Sequence, residues 1–247
     1  MAGRDYLMLI INDLSVVYPD KTQAVDALTL TVDEGESVAL IGANGAGKTS
    51  LIMAVVGVLP SDGEIIVDGM KLTKETVRLI RTQVGVVFQN PDDQLFMPTV
   101  YEDIAFGPRN LGVENVEAQV EKYLTTLQIS HLSGKSGARL SGGEKRMVAL
   151  ASVLSMEPKL VLFDEPSAFL DPKARRNLIQ TLNSLSHTKL VATHDLTFAL
   201  ETCKRAVLLK DGKVFADGIS NEILFNEKLM DACGVEAILP YRKGNGV

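Results

Sequence analysis

The sequence predicts an α/β protein: a mixed sheet core, an antiparallel β part at its N-terminal end, and a helical subdomain inserted into the core. Three observations carry this reading. A glycine-rich run from Gly42 to Thr49 stands between a short strand pattern and a helical pattern. Short apolar runs of strand length alternate with helical segments over much of the chain. From about Pro91 to Glu157 no convincing strand pattern occurs.

Taken in order, Leu7 to Val17 and Val25 to Val32 read as β-rich segments separated by a Pro19-Asp20 turn. Ser37 to Ile41 is mostly apolar, as a buried strand would be, and Leu51, Ile52, Val55 and Val56 follow at helical spacing. Gly63 to Val67 reads as a strand leading into a tight Asp68-Gly69 turn, and Val84 to Phe88 as another short strand. Within the helical stretch, Val116 to Leu127 and Glu144 to Leu154 carry the periodicity, while Pro91, Pro98, Pro108 and Gly112 punctuate the remainder. The α/β rhythm then resumes with a strand at Leu160 to Phe163, a helix from Pro172 to about Leu185, a strand at Leu190 to Thr193 and a helix after Asp195. Ala206 to Lys210 follows, and Asp211-Gly212 closes a hairpin onto Lys213 to Ala216. The division expected is one domain, with residues 1–90 and 158–247 forming the core and its β part and about 91–157 the helical subdomain.

A chain of 247 residues buries a large core and suits one α/β domain with a subdomain. With 25 basic against 31 acidic residues, a net charge of −6 argues against a broad nucleic-acid footprint. The two cysteines, Cys203 and Cys233, have neither metal spacing nor a disulfide framework, which suits a reducing compartment. No stretch approaches the roughly 18 consecutive apolar residues of a membrane span, and the N-terminus, with Asp5 after Arg4, does not read as a secretory signal. A membrane role would come through a partner.

The run Gly42-Ala43-Asn44-Gly45-Ala46-Gly47-Lys48-Thr49 fits the phosphate-cradling pattern GxxxxGK(S/T) in the strand–loop–helix order the pattern requires. Glycines let backbone N–H groups turn inward around a triphosphate, and the helix N-terminus adds partial positive charge. Lys48 is then placed to reach the β- and γ-phosphates and Thr49 to ligate Mg²⁺. Leu160-Val161-Leu162-Phe163-Asp164-Glu165 is an apolar strand ending in two acids. Downstream of a phosphate loop, Asp164 would hold the metal through water and Glu165 would act as general base on the attacking water; read alone, the pair is an acidic turn after a buried strand. In Leu140-Ser141-Gly142-Gly143-Glu144, Ser141 and Glu144 form a capping box, while Gly142 and Gly143 expose amides that a γ-phosphate could approach.

Together these segments resemble the ATPase subunit of an ABC transporter, over roughly Leu7 to Pro240. The LSGGE run resembles the family's LSGGQ signature, and Gln89 falls at the Q-loop glutamine. Ser167-Ala168-Phe169-Leu170-Asp171 resembles the D-loop, and Thr193-His194-Asp195 the switch-histidine segment; Tyr18 matches the aromatic that stacks on adenine. The resemblance implies a P-loop NTPase fold of ABC ATPase type with a RecA-like core, and ATP and Mg²⁺ as ligands. It implies nucleotide contacts from Tyr18, from the loop Gly42 to Thr49 with Ser50, and from Ser141, Gly142 and Gly143. Thr49, Gln89 and Asp164 would surround the metal, and Glu165, His194 and Gln89 would serve hydrolysis. Two chains would meet head to tail, as a homodimer or with a similar ATPase chain, each ATP lying between one phosphate loop and the other chain's signature helix. Two departures stand out: Glu144 replaces the signature glutamine, and Phe169 a typically small D-loop residue.

A narrower resemblance lies in Gln89 to Phe96 and Thr99 to Pro108, which are similar to the energy-coupling-factor ATPases, especially those of cobalt and nickel uptake. It implies a peripheral protein on the cytoplasmic face of the cell membrane, with integral membrane subunits docking near Leu95, Phe96 and Met97. The alternative for these three residues is ordinary subdomain core. A vitamin or other small-solute importer, a soluble ABC-type ATPase acting on DNA or the ribosome, and a regulatory subunit of little turnover are the competing functional readings. The soluble type usually carries a coiled-coil insertion or a second ATPase domain, for which this length has no room.

Overall fold

Alternation of apolar and polar residues makes the first two strands partners, and a bulge keeps them in phase with the core. In the computed structural model, which describes residues 6–238, β1 (Leu7–Val17) pairs antiparallel with β2 (Gln23–Asp33). Leu9 and Ile11 are buried, the register slips at Asp13 with φ +47°, and Leu14 and Val16 return to the core side. The extra residue re-phases a period-two pattern that would otherwise turn Leu14 outward. Arg4, Asp5 and Pro240 lie outside the described residues.

β3 (Ser37–Ile41) leads to α1 (Lys48–Val55), and β4 (Asp62–Val67) turns into β5 (Met70–Lys71). Asp68 and Gly69 both have positive φ, the requirement of a two-residue type I′ hairpin. One sheet therefore runs β2-β1-β4-β5. The second comprises β6 (Val84–Val87), β7 (Leu160–Asp164), β8 (Thr188–Ala192), β9 (Arg205–Lys210) and β10 (Lys213–Ile219), with β3, in the order β10-β9-β3-β8-β7-β6. All its neighbours are parallel except the β9–β10 hairpin, whose Asp211-Gly212 turn again has positive φ at both residues.

The parallel strands are buried on both faces, as βαβ architecture demands. Val38 and Leu40 of β3 join α1 and the first sheet in one core, whereas Ala39 and Ile41 face the other core with the helices. α1 is wedged between the two sheets and buries Leu51, Ile52, Ala54 and Val55, so it needs no polar stripe.

Between Pro91 and Glu157 the structure has α3 (Val100–Leu111), α4 (Val116–Thr126) and α5 (Gly142–Leu154), with short 3₁₀ turns and no strand. α3 departs from the sequence reading, in which Pro98, Pro108 and Gly112 were punctuation only. Thr99 caps its start by accepting from the Glu102 N–H, Gly112 closes it at φ +72°, and Pro108 lies inside it. A proline leaves the carbonyl four residues earlier without its helical donor. Here that carbonyl, on Ile104, accepts from the buried Ser155 hydroxyl at 2.9 Å. The donor comes from just beyond α5, so no periodicity within α3 announces it.

Also unanticipated are α2 (Val77–Gln83), α8 (Ser220–Leu224) and α9 (Glu227–Ala232). α6 (Pro172–Ser184) and α7 (Leu196–Thr202) fall where expected, capped by Asp171 and Asp195. Cys203 and Cys233 are both buried and unpaired, and burial pushes the Cys203 thiol up to about 11. Among the described residues no helix is long and apolar enough to cross a membrane.

Candidate active site

The glycine-rich loop joins the C-terminal end of β3 to α1, and two of its glycines are forced by close backbone approach. A Cβ on Gly47, where φ is +100°, would lie 2.2 Å from the Ala24 carbonyl oxygen; one on Gly42 would lie 2.6 Å from that of Leu209. Only a residue without a side chain lets β2 and β9 close around the loop. Lys48, the first residue of α1, is buried and folds back, its Nζ donating to the Gly42 carbonyl at 2.7 Å and that of Ala43 at 3.2 Å. Burial pushes its pKa down, and the nearby carboxylates Glu165 and Asp164 work against that shift.

β7 delivers the two acids to the same edge. The Thr49 hydroxyl donates to the Asp164 carboxylate at 2.9 and 3.1 Å. Burial raises the Asp164 pKa first of all, Glu165 adds to the rise, and the Thr49 hydrogen bond and Lys48 oppose it. One hydroxyl and one carboxylate form a hard-oxygen pair suited to Mg²⁺, which usually takes few protein ligands and keeps water and phosphate oxygens. Gln89 lines the same cleft, where its amide would be a further oxygen donor.

Glu165 follows the last residue of β7 with φ +46°, a backbone conformation that costs on the order of 1–3 kcal/mol outside glycine. Its N–H donates to the Ala192 carbonyl at 2.8 Å, and Oε2 accepts from the Thr193 hydroxyl and the His194 N–H, each at 3.2 Å. His194 Nδ1 lies 2.8 Å from the same oxygen, with its ring largely exposed. The carboxylate is thus fastened from the end of β8 while remaining at the cleft.

A cleft of about 470 Å³ gathers Tyr18, Asn44 to Ser50, Gln89, Glu165 and His194. The Tyr18 hydroxyl lies 3.0 Å from the Ser50 Oγ. Ser141 and Gly143 are not there; they line a separate cleft of about 680 Å³ with parts of α4 and α6. Ser141 is exposed, and its capping box closes: Oγ accepts from the Glu144 N–H at 3.3 Å, and a Glu144 oxygen accepts from the Ser141 N–H at 2.7 Å. That amide is the main reason the Glu144 pKa is lowered. The carboxylate is turned back onto its own helix, with Lys135 3.7 Å from its other oxygen.

Gly142 and Gly143 differ. A Cβ on Gly143 would meet the Ala174 Cβ at 2.7 Å, whereas one on Gly142 meets nothing within 4 Å among the described residues. Gly143→Ala is therefore expected to cost about 1–3 kcal/mol of overpacking, partly offset by helix propensity, and Gly142→Ala to be neutral or slightly stabilising. Urea denaturation of the two variants checks this. Equal midpoints would remove the packing role of Gly143.

Two residues missed by sequence reasoning join these parts. Arg146 is 1% exposed and donates from its two terminal nitrogens to the Phe88 and Gln89 carbonyls, both at 2.6 Å. Gln94 Nε2 donates to the Ala149 carbonyl at 2.6 Å and the Ser152 hydroxyl at 3.0 Å. The signal for Arg146 was available: a basic residue on the apolar phase of α5, in line with Ala149, Leu150 and Val153. Leu95 packs against the core, but Phe96 is 64% exposed and meets Phe106 edge to face at 4.9 Å. Reading all three of Leu95, Phe96 and Met97 as core therefore fails at Phe96. Phe169 of the D-loop segment is 93% exposed at φ +61°.

The sequence profile of the family described as "ABC transporter" matches residues 25–168. An ABC transporter ATP-binding protein of Geobacter sulfurreducens is 45% identical over 92% of this chain and 92% of its own length. The energy-coupling factor transporter ATP-binding protein EcfA of Methanothermobacter thermautotrophicus is 41% identical over 90% of this chain and 74% of its own. Among solved structures, CbiO1 from Clostridium perfringens, described as part of the ABC transporter complex cbiONQ, superposes with a TM-score of 0.82 at 32% identity, covering 93% of this chain and 94% of that one. A phosphate loop beside an acid-ended strand, a capped glycine pair on a separate helix, and relatives matching almost end to end agree: the chain belongs to the ABC transporter family, as an ATP-binding ATPase subunit of the energy-coupling-factor type.

Proposed function

We propose that this ATPase clasps ATP across a seam between two chains, and that cleavage of the nucleotide drives an energy-coupling-factor importer. The observation that carries the reading is the separation of the two half-sites. Lys48, Thr49 and Glu165 line one cleft, with Asp164 behind it on the Thr49 hydroxyl, and the exposed Ser141 end of α5 lines another, so a second chain is needed to bring donors of both kinds to one triphosphate. In that arrangement the loop from Gly42 to Thr49, with Ser50, cradles the phosphates and Tyr18 stacks on adenine. Ser141 and the amides of Gly142 and Gly143 approach the γ-phosphate from the other chain. The open space at Gly142 is what such an approach requires.

Glu165 accepts a proton from the attacking water as the water oxygen bonds to the γ-phosphorus and the bond to the β,γ-bridging oxygen breaks, leaving ADP and inorganic phosphate. His194, bonded to that carboxylate, and Gln89 sense the γ-phosphate. Thr49, Gln89 and, through water, Asp164 would hold magnesium, which when bound would supply charge neutralisation on the phosphate oxygens. Glu144 faces its own helix start rather than the solvent in front of Gly142, which favours turnover over a purely regulatory subunit.

The partner is a second copy or a similar ATPase chain. Integral membrane subunits dock near Leu95, Phe96 and Met97, a reading supported by the exposed aromatic at Phe96, and the chain then lies peripherally on the cytoplasmic face of the membrane. Cobalt or nickel is the substrate favoured by the resemblance of the Gln89 to Phe96 run to the ATPases of their uptake systems; vitamins and other metals are the next classes. The acidic net charge weighs against a nucleic-acid role.

Specific ATPase activity is expected to rise with protein concentration wherever the dimer is weak, because each site needs two chains. Measuring phosphate release over a hundredfold dilution series checks it. A specific activity that stays constant to the lowest concentration would count against shared sites.

A further inference from the structure

Asp103 belongs to α3, one turn before Phe106, and is 4% exposed. Its Oδ1 accepts from the backbone N–H groups of Phe96 and Met97, each at 3.0 Å. Its Oδ2 is buried with no hydrogen-bond partner among the described residues. Burial pushes the Asp103 carboxyl up, with the two amides opposing the shift. A half-satisfied buried carboxylate is costly, so the oxygen that is used must do something an apolar side chain cannot. What it does here is pin two consecutive amides of a surface loop.

The other end of that loop is also fastened. Gln94 Oε1 accepts from the Phe88 N–H at 3.4 Å, next to Gln89, while its Nε2 holds α5. Between the two anchors Phe96 projects into solvent against Phe106. An exposed aromatic held in place before it meets a partner loses little freedom on docking.

We propose that Asp103 is a positioning residue whose Oδ1 locks the Phe96 and Met97 amides, so that movement of α5 and the Gln89 segment reaches the exposed Phe96–Phe106 pair as a rigid displacement. The inference rests on the reading of this surface as the membrane-subunit dock. It assigns transmission to a residue that touches neither nucleotide nor partner.

Two measurements on the full chain test it: residue-resolved amide exchange, and saturable rebinding to membranes of the source cell stripped of peripheral proteins. In the parent chain the Phe96 and Met97 amides should exchange at least about tenfold more slowly than in an unstructured peptide of the same sequence. Asp103→Ala should remove that protection and raise the half-saturating concentration for rebinding at least about fivefold, whereas Asp103→Asn, which keeps the carbonyl acceptor, should do neither. Peptide-like exchange of both amides in the parent overturns the proposal even if the alanine variant does not fold. So does a loss in Asp103→Asn equal to that in Asp103→Ala. Parent-like rebinding by Phe96→Asp overturns the docking surface itself. Loss of rebinding by Phe96→Asp together with parent-like rebinding by Asp103→Ala overturns the lock alone.

Discussion

Glu165→Gln is expected to lower ATP turnover by roughly 10²–10⁴-fold while leaving nucleotide affinity close to that of the parent chain. The substitution is nearly isosteric. A glutamine carbonyl at the Oε2 position still accepts from the Thr193 hydroxyl and the His194 N–H, now both at 3.2 Å from the carboxylate. The amide cannot take up a proton, so only the step in which water is deprotonated suffers. In the proposed cycle opening of the seam follows cleavage, so the variant should accumulate as an ATP-bound dimer. Size-exclusion chromatography with and without MgATP, beside steady-state phosphate release, reads both effects. Turnover at the parent rate would remove Glu165 as the base, and a monomer at saturating ATP would break the link between cleavage and opening.

The second large effect falls on binding. Lys48→Ala removes the one ammonium that, among the described residues, lines the phosphate cleft, and the loss of a charge-assisted contact to a triphosphate is expected to weaken ATP by about 10- to 100-fold. Fold stability should change far less. In the folded chain Lys48 is buried and, among the described residues, its Nζ bonds only to carbonyls of its own loop, and burial disfavours its charged form; deleting it therefore relieves a desolvation cost while giving up two hydrogen bonds. Calorimetric titration with ATP, paired with a urea melt, separates the two quantities. Parent-like affinity would refute the assignment of the loop, and collapse of the melt would make Lys48 a structural residue instead.

The strands and the glycine-rich loop were legible because their signals are local. Each parallel strand is a short apolar run, and the two positive-φ hairpins carry Asp-Gly. α3 was not legible, because the rule that proline ends a helix holds only while the freed carbonyl lacks a donor, and the donor to Ile104 is Ser155, 51 residues away. Phe96 was ambiguous for a similar reason. Its neighbours Leu95 and Met97 are equally apolar, and which of the three faces solvent is set by how the loop sits on the core and on Asp103.

Residue order by itself determined the α/β class, the strand–loop–helix that would cradle phosphate, the two acids at a strand end and the capping box at Ser141, since each depends on atoms within a few residues of one another. The tertiary structure decided what depends on distant residues meeting: Thr49 against Asp164, His194 against Glu165, Arg146 against the Gln89 backbone, and Asp103 against the loop that carries Phe96. It also decided that the Ser141 end of α5 and the phosphate loop line different clefts of one chain. Hydrogen bonds act over about 3 Å, and only the packing of α5 and α3 against the sheet sets which groups come that close.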